Sequence, residues 1–313
     1  MTTRPDTVSV LNPISPSFER VKTVLFRSFD LARWFTIGLC AWLAYLGKGG
    51  GPNLNFGRQG PRGVPLDEAL YQTKEYVLNN LHWIIPLFVF AIFISIAWWL
   101  LTTWLSSRGK FMFLHCVAEN KAEVKIPWTK FSKHANSLFL FRIVLGIIGL
   151  LVIALFCTLI FVPTFFLISK VGSNIFSVTT ILLSTLVFIT LVVVFILVMK
   201  FTTDFVVPIM YLRTAKCTDA WREFLSLLST NKGRFALYIL FQIVISIAIS
   251  AIILAAACFT CCCAACILAI PYIGAVLMLP LSVFKRAYPL YYFRQFGPEF
   301  DVFATETEIA PAE

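Results

Sequence analysis

Charge is what this chain has least of. Only 13% of its 313 residues are Asp, Glu, Lys or Arg, against 59% hydrophobic, and mean hydropathy is +0.84. A soluble globular protein carries about a quarter charged residues, so the shortage excludes that class and places the chain in lipid. Histidine is scarcer still, with three residues, His82, His115 and His134. A proton-coupled transporter or an intramembrane hydrolase needs acids, a His, or a nucleophile with its base at membrane depth, and no such set stands in the apolar runs. A phosphate-binding loop is also missing, because GKGG at 47–50 lacks the GxxxxGK-Ser/Thr pattern between a strand and a helix. The first thirty residues contain no uninterrupted apolar core followed by a small-residue cleavage site, so the amino terminus is expected to be retained. No catalytic residue, metal or cofactor is expected.

Positive charge is in excess, a formal net +10. The Lys and Arg sit in short blocks between apolar runs rather than on one face of a domain, which reads as a topology signal and not as a nucleic-acid surface. The apolar runs predict six spans, about Leu31–Leu46, His82–Leu105, Leu138–Val162, Ser177–Met199, Phe235–Ala257 and Ala264–Phe284. Pro86, Pro271 and Pro280 fall within them as candidate kinks. With these spans, 21 of the 26 cationic residues fall on one side; Lys48, Arg58, Arg62, Lys74 and Lys170 fall on the other. The positive-inside rule then puts both termini in the cytoplasm. Gly47 to Pro65, dominated by Gly and Pro, reads as a flexible surface loop.

The organising stretch is TDFVVPIMYL, Thr203 to Leu212, followed by WREF at 221–224. RGKFMFL (108–114) with WTKF (128–131), and FKRAYPLYYF (284–293), are variants of it. Each follows an apolar run and brings charge and then aromatic or Pro-containing sequence. The predicted fold is therefore an all-α integral membrane protein with about six transmembrane helices, arranged as three pseudo-repeated hairpins. Each hairpin is preceded by a cytoplasmic amphipathic interfacial helix. The units are about 14–114, 126–212 and 219–293, flanked by a polar tail at 1–13 and a cytoplasmic tail at 294–313.

In the first of those helices, started by Ser15 and Pro16, Phe18, Val21 and Leu25 form the apolar face. Glu19, Arg20, Lys22 and Arg27 are left for headgroups. Trp128, Phe131, Ala135 and Leu138 line the second helix, and Trp221, Phe224, Leu225 and Leu228 the third. Trp128, Phe131, Trp221 and Phe224 are the expected aromatic anchors at the membrane interface.

Asp204 is the one acid at the cytoplasmic end of a span, at the position held by Arg108 and by Lys285 and Arg286 in the other units. An interfacial ion pair locking the units is the expected role; a solute or ion gate and plain solvation are the alternatives. Cys258, Cys261, Cys262, Cys263 and Cys266 have CxxC spacings, but they alternate with Ala, Phe and Thr and lack a neighbouring His or charge. Close packing in the outer turn is the expected use, with a disulfide or a metal as alternatives.

NPISPSFERVKTVLFRSFDLARWF, SSRGKFMFL, NSLFLFRIVLG, DFVVPIMYLR with AWREF, the cysteine cluster, and PYIGAVLMLP with FKRAYPLYYFRQFGPEF run the length of the chain. Together they resemble an uncharacterised family of bacterial integral membrane proteins. The resemblance implies six spans in a bacterial inner membrane and no particular activity. More distantly, the repeats are similar to the membrane domain that accompanies some glycerophosphodiester phosphodiesterases. The catalytic barrel of those enzymes is missing and three His cannot replace it, so the activity does not carry over. The expected function is a non-catalytic scaffold or accessory subunit that binds anionic lipid headgroups or a partner protein, with a passive permease or lipid-handling protein as the alternative.

Overall fold

The computed structural model describes residues 8–27, 30–46, 80–158, 175–259 and 270–304, and among these the regular structure is helical. In chain order the helices are α1 (Ile14–Val21, continued by a π turn over Lys22–Phe26), α2 (Leu31–Tyr45) and α3 (Leu81–Glu119). Then come α4 (Lys125–Lys130), α5 (Ser132–Phe156), and α6 (Ile175–Phe201), which passes through a π turn over Thr202–Val206 into α7 (Val207–Arg213). The rest are α8 (Cys217–Thr230), α9 (Lys232–Phe259), α10 (Pro271–Leu277) and α11 (Leu279–Arg294), closed by a 3-10 turn at Pro298–Phe300. The 47–65 loop, four of the five clustered cysteines, residues 1–7 of the first tail and 305–313 of the last lie outside the described residues.

Among the described residues, four helices are long and apolar enough to cross a membrane: Leu81–Glu119, Ser132–Phe156, Leu182–Arg213 and Lys232–Ala256. The chain is therefore a helical membrane protein. The helix α2 starts where expected, with the Asp30 carboxylate accepting from the Ala32 N–H at 3.0 Å. Its 15 residues give only about 22 Å of length. In the last run, Pro271 and Pro280 are not kinks. Each stands in the first turn of its own helix, where a missing N–H costs nothing, and the chain breaks at Met278 between them. Pro86 does remain inside α3.

Two of the segments that follow predicted spans continue the helix. The helix α3 runs 14 residues past the predicted span end at Leu105, carrying Arg108 and Lys110 with it, and α6 continues through α7 to Arg213. Nothing in RGKFMFL stops a helix except Gly109, and that glycine is required by packing. A Cβ there would land on the backbone of Leu43 and Ala44 of α2.

Packing is concentrated at one end. The core is built from α1, α2, residues 102–118 of α3, the Thr202–Val206 turn with α7, the inner faces of α8 and α11, and the first turns of α5 and α9. By contrast, the most apolar window of Leu81–Glu119, Leu182–Arg213 and Lys232–Ala256 buries none of its residues within the chain. There Leu, Ile, Val and Phe point outward all round. The long helices share a packed end; beyond it they touch only in places, as where Phe156 of α5 meets Phe188 of α6 with ring centroids 4.8 Å apart.

Several faces assigned from periodicity are turned. Phe18 is 55% exposed, whereas Val21, Val24 and Leu25 are buried. Arg20, expected at headgroups, is buried: its guanidinium donates to the carbonyls of Val117 and Ala118 at 2.8 and 2.6 Å and lies over the Phe303 ring. Arg33 donates to the Asn120 carbonyl at 2.7 Å. The two arginines thus satisfy carbonyls that the last turn of α3 leaves without intrahelical partners. In α8 the inner face is Cys217, Ala220 and Phe224, and Leu225 points outward.

Candidate functional site at the meeting of three segments

The three charged segments singled out in the sequence converge in the packed end. The polar centre is the π turn of α6, and its cause is local. The Val207 N–H bonds to the carbonyl of Thr202, five residues back. In that register the next donor would be residue 208, and Pro208 has none. The Thr203 carbonyl is left open, and the buried Arg286 of α11 fills it through Nη1 at 2.7 Å. On the same residue, the Thr203 hydroxyl accepts from Lys110 Nζ of α3 at 3.1 Å and bonds to the Met199 carbonyl at 3.0 Å. One threonine therefore ties α3, α6 and α11 together.

Asp204, 5% exposed, faces the other way, towards α9. Its Oδ2 accepts from Lys200 Nζ at 2.7 Å and from the Tyr238 hydroxyl at 2.8 Å. The Gln242 amide donates to the Tyr238 oxygen at 3.3 Å, and Lys200 reaches the Gln242 carbonyl oxygen at 3.4 Å. The four side chains close a ring between α6 and α9. Gln242, a strongly polar side chain within the fifth apolar run, is a member of it.

Of the expected ion-pair residues, only Arg286 joins this centre alongside Asp204. Asp204 spends its charge on Lys200, one turn away on its own helix, and not on a cation from another unit. Arg108 lies against both rings of the edge-to-face pair Trp104 and Trp128, at 4.6 and 4.7 Å from their centroids, two cation–π contacts. Lys285 is exposed. Helix geometry explains the division: Lys285 and Arg286 are adjacent, about 100° apart around α11, so one turns inward and the other out.

The aromatic residues also changed places. Phe131 and Phe224 are core residues, Phe131 stacked on Tyr211 at 4.8 Å and Phe224 on Phe205 at 5.3 Å. Trp128 and Trp221 are half-buried beside them. Cys258 is exposed at the far end of α9, and Cys261, Cys262, Cys263 and Cys266 are outside the described residues. Cys40 and Cys116, far apart in sequence, meet in the core with their sulfurs 3.8 Å apart. Burial pushes the Cys217 thiol up to about 12, with Lys110 drawing it partly back.

A second buried polar group went unread in the sequence. His115 Nδ1 and the Tyr211 hydroxyl are 3.0 Å apart, and Tyr211 donates to Glu119 Oε1 at 3.1 Å. This links α3 to α7. Among the described residues, no three of His, Cys, Asp and Glu are grouped to hold a metal ion. Lys110, Tyr238 and Tyr211 were the residues sequence reasoning missed. Pro208 marks an unbonded carbonyl one turn earlier and so a place for a donor, which Arg286 fills; it does not point to these three.

No curated protein and no solved structure matches the chain. One family model does, over residues 8–279, which take in every element from α1 to the start of α11, and the chain belongs to that family of unknown function, DUF7544.

Proposed function

We propose that the chain is a non-catalytic membrane scaffold or accessory subunit that binds anionic lipid headgroups or a partner protein. The observation that carries this reading is the division of the molecule into a densely packed end and long, mostly apolar helices whose side chains stay exposed. Three of the four long helices bury nothing of their most apolar window against the rest of the chain. Their surfaces are left to lipid or to another protein's spans. In this reading α2 and the α10–α11 pair complete six crossings as three hairpins, at 14–114, 126–212 and 219–293, with a short surface helix before each. The packed end, rich in Lys and Arg, faces the cytoplasm, with both termini on that side of a bacterial inner membrane. The distant likeness to the membrane domain accompanying glycerophosphodiester phosphodiesterases supports a membrane-domain role and lends no catalysis.

A lipid-handling or passive permease role has one observation in its favour. A groove of about 750 Å³ runs between α6 and α9, and among its apolar walls stand Lys200, Gln242, Ser246 and Ser250. The three α9 residues are spaced four apart and so share one face of the helix.

Purification in mild detergent, with identification of the proteins and lipids that come with the chain, tests the scaffold reading. A stable partner or an enriched anionic lipid is the expected result. A lone particle that moves solute or lipid across liposomes would replace it with the permease reading.

A further inference from the structure

The polar residues in the groove between α6 and α9 are not scattered. Gln242, Ser246 and Ser250 form a row down one face of α9, about 12 Å long, that begins beside Lys200 at the packed end. A hydroxyl in an apolar helix usually returns to the carbonyl four residues back. Ser95 of α3 does so with Ala91 at 2.7 Å, and Thr190 of α6 with Leu186 at 2.9 Å. Among the described residues Ser246 and Ser250 make no such bond, and their hydroxyls line the groove.

Lys200 and Gln242 keep donors for the groove as well. The Lys200 ammonium spends two of its three N–H groups, on Asp204 at 2.7 Å and on the Gln242 oxygen at 3.4 Å. The Gln242 amide spends one of its two, on the Tyr238 oxygen at 3.3 Å. Charge at this end is also unbalanced. Asp204 is matched by Lys200, whereas Lys285 of α11 is exposed and forms no ion pair among the described residues. It stands close enough to Lys200 that desolvation and that second charge hold its ammonium below its ordinary value. An anion between the two lysines relieves the repulsion.

The occupant that fits carries an anion at one end, acceptors several ångströms further on, and an apolar remainder against walls such as Val193, Ile196, Ile243 and Ile247. A glycerophospholipid has its groups in that order: phosphate, ester carbonyls, acyl chains. A helix from another protein does not, because its backbone carbonyls are spent on its own hydrogen bonds.

We propose that the α6–α9 groove binds one anionic glycerophospholipid from the leaflet at the packed end. Its phosphate sits between Lys200 and Lys285 with the Gln242 amide donating to it, its ester carbonyls accept from Ser246 and Ser250, and an acyl chain runs on past Leu254. This deepens the scaffold reading and rests on it for the placing of α6 and α9 in a bilayer.

Full-length protein in mild detergent, offered equal amounts of phosphatidylglycerol and phosphatidylcholine with the same acyl chains, is the material for the test. Native mass spectrometry is expected to find about one phosphatidylglycerol retained per chain, in preference to phosphatidylcholine. The double variant Ser246→Leu with Ser250→Leu, which removes two donors and fills the groove at exposed positions, is expected to lose it. Lys285→Gln is expected to weaken retention about fivefold, while Lys22→Gln, exposed beside α1, leaves it unchanged. Equal retention of the two lipids by the wild-type protein overturns the site, even where a variant fails to fold. Anionic lipid enriched as strongly on the double variant, or a co-purified protein in place of lipid, overturns the groove site and leaves the scaffold reading standing. A lone particle that holds phosphatidylglycerol through these residues and moves solute across liposomes does the reverse.

Discussion

Replacing Asp204 with Asn keeps the shape of the side chain and removes the charge at the middle of the α6–α9 ring. Two charge-assisted bonds are affected, from Lys200 at 2.7 Å and from Tyr238 at 2.8 Å. A hydrogen bond to a charged group contributes about 1.5–3 kcal/mol, and a buried pair left half-made costs about 3–5 kcal/mol. The larger figure does not apply here, because the Lys200 side chain is 35% exposed and still has the Gln242 oxygen. Tyr238 has no such escape, being fully buried, but the new amide can still accept its proton. The expected cost is therefore about 2–3 kcal/mol. Unfolding by SDS in mixed micelles, followed by tryptophan fluorescence, measures it. Tyr238→Phe and the double variant complete a cycle in which the expected coupling is about 1–2 kcal/mol, in the range for residues in one network. A coupling below about 0.3 kcal/mol would mean that the ring carries no cooperative energy and the reasoning fails.

Gly109→Ala is expected to cost about 2–3 kcal/mol, since the added carbon meets the α2 backbone and not a movable side chain. Gly233→Ala, which meets nothing within 4 Å at the start of α9, is expected to stay within about 0.5 kcal/mol of wild type or gain; monodisperse yield by size exclusion separates the two. Cys217, buried with its thiol pushed up to about 12, is expected to resist thiol reagents at pH 7 until SDS is added. Cysteines engineered beside Trp128 and Trp221 are expected to resist membrane-impermeant maleimide added to intact cells; strong labelling there would reverse the proposed orientation.

Span positions were readable because hydropathy over twenty residues is a strong signal, and α5, α6 and α9 begin within a few residues of where it pointed, or contain the predicted start. The charged segments were singled out as variants of a repeat; in the structure RGKFMFL, TDFVVPIMYL and FKRAYPLYYF meet through Lys110, Thr203 and Arg286. Their partners could not be read. Periodicity says that Phe131 and Phe224 lie on an apolar face, but a membrane interface and a protein core ask for the same face. Likewise Arg20 looks like a headgroup ligand until the end of α3 arrives beside it. Asp204 was expected to reach across units, yet a lysine at i−4 on the same helix is always within range. Long-range choices of this kind are made by packing, which one sequence does not display.

The placement of the core follows from what the bilayer can and cannot do. Inside lipid there is no hydrophobic drive to bring Leu- and Ile-covered helices together; packing, small residues and polar contacts must do it. The apolar windows of α3, α6 and α9 present large side chains outward, and none of the residues in those windows is buried within the chain. At the packed end the chemistry changes. There Gly109 lets α2 and α3 touch, Pro208 opens a carbonyl for Arg286, and Tyr238, Asp204 and Lys200 join α6 to α9. Polar bonds out of reach of water hold the helices where apolar surface cannot. The same logic separates the two ends: the packed one fixes the helices at their roots, and beyond it their large apolar side chains stay exposed on the chain's own surface.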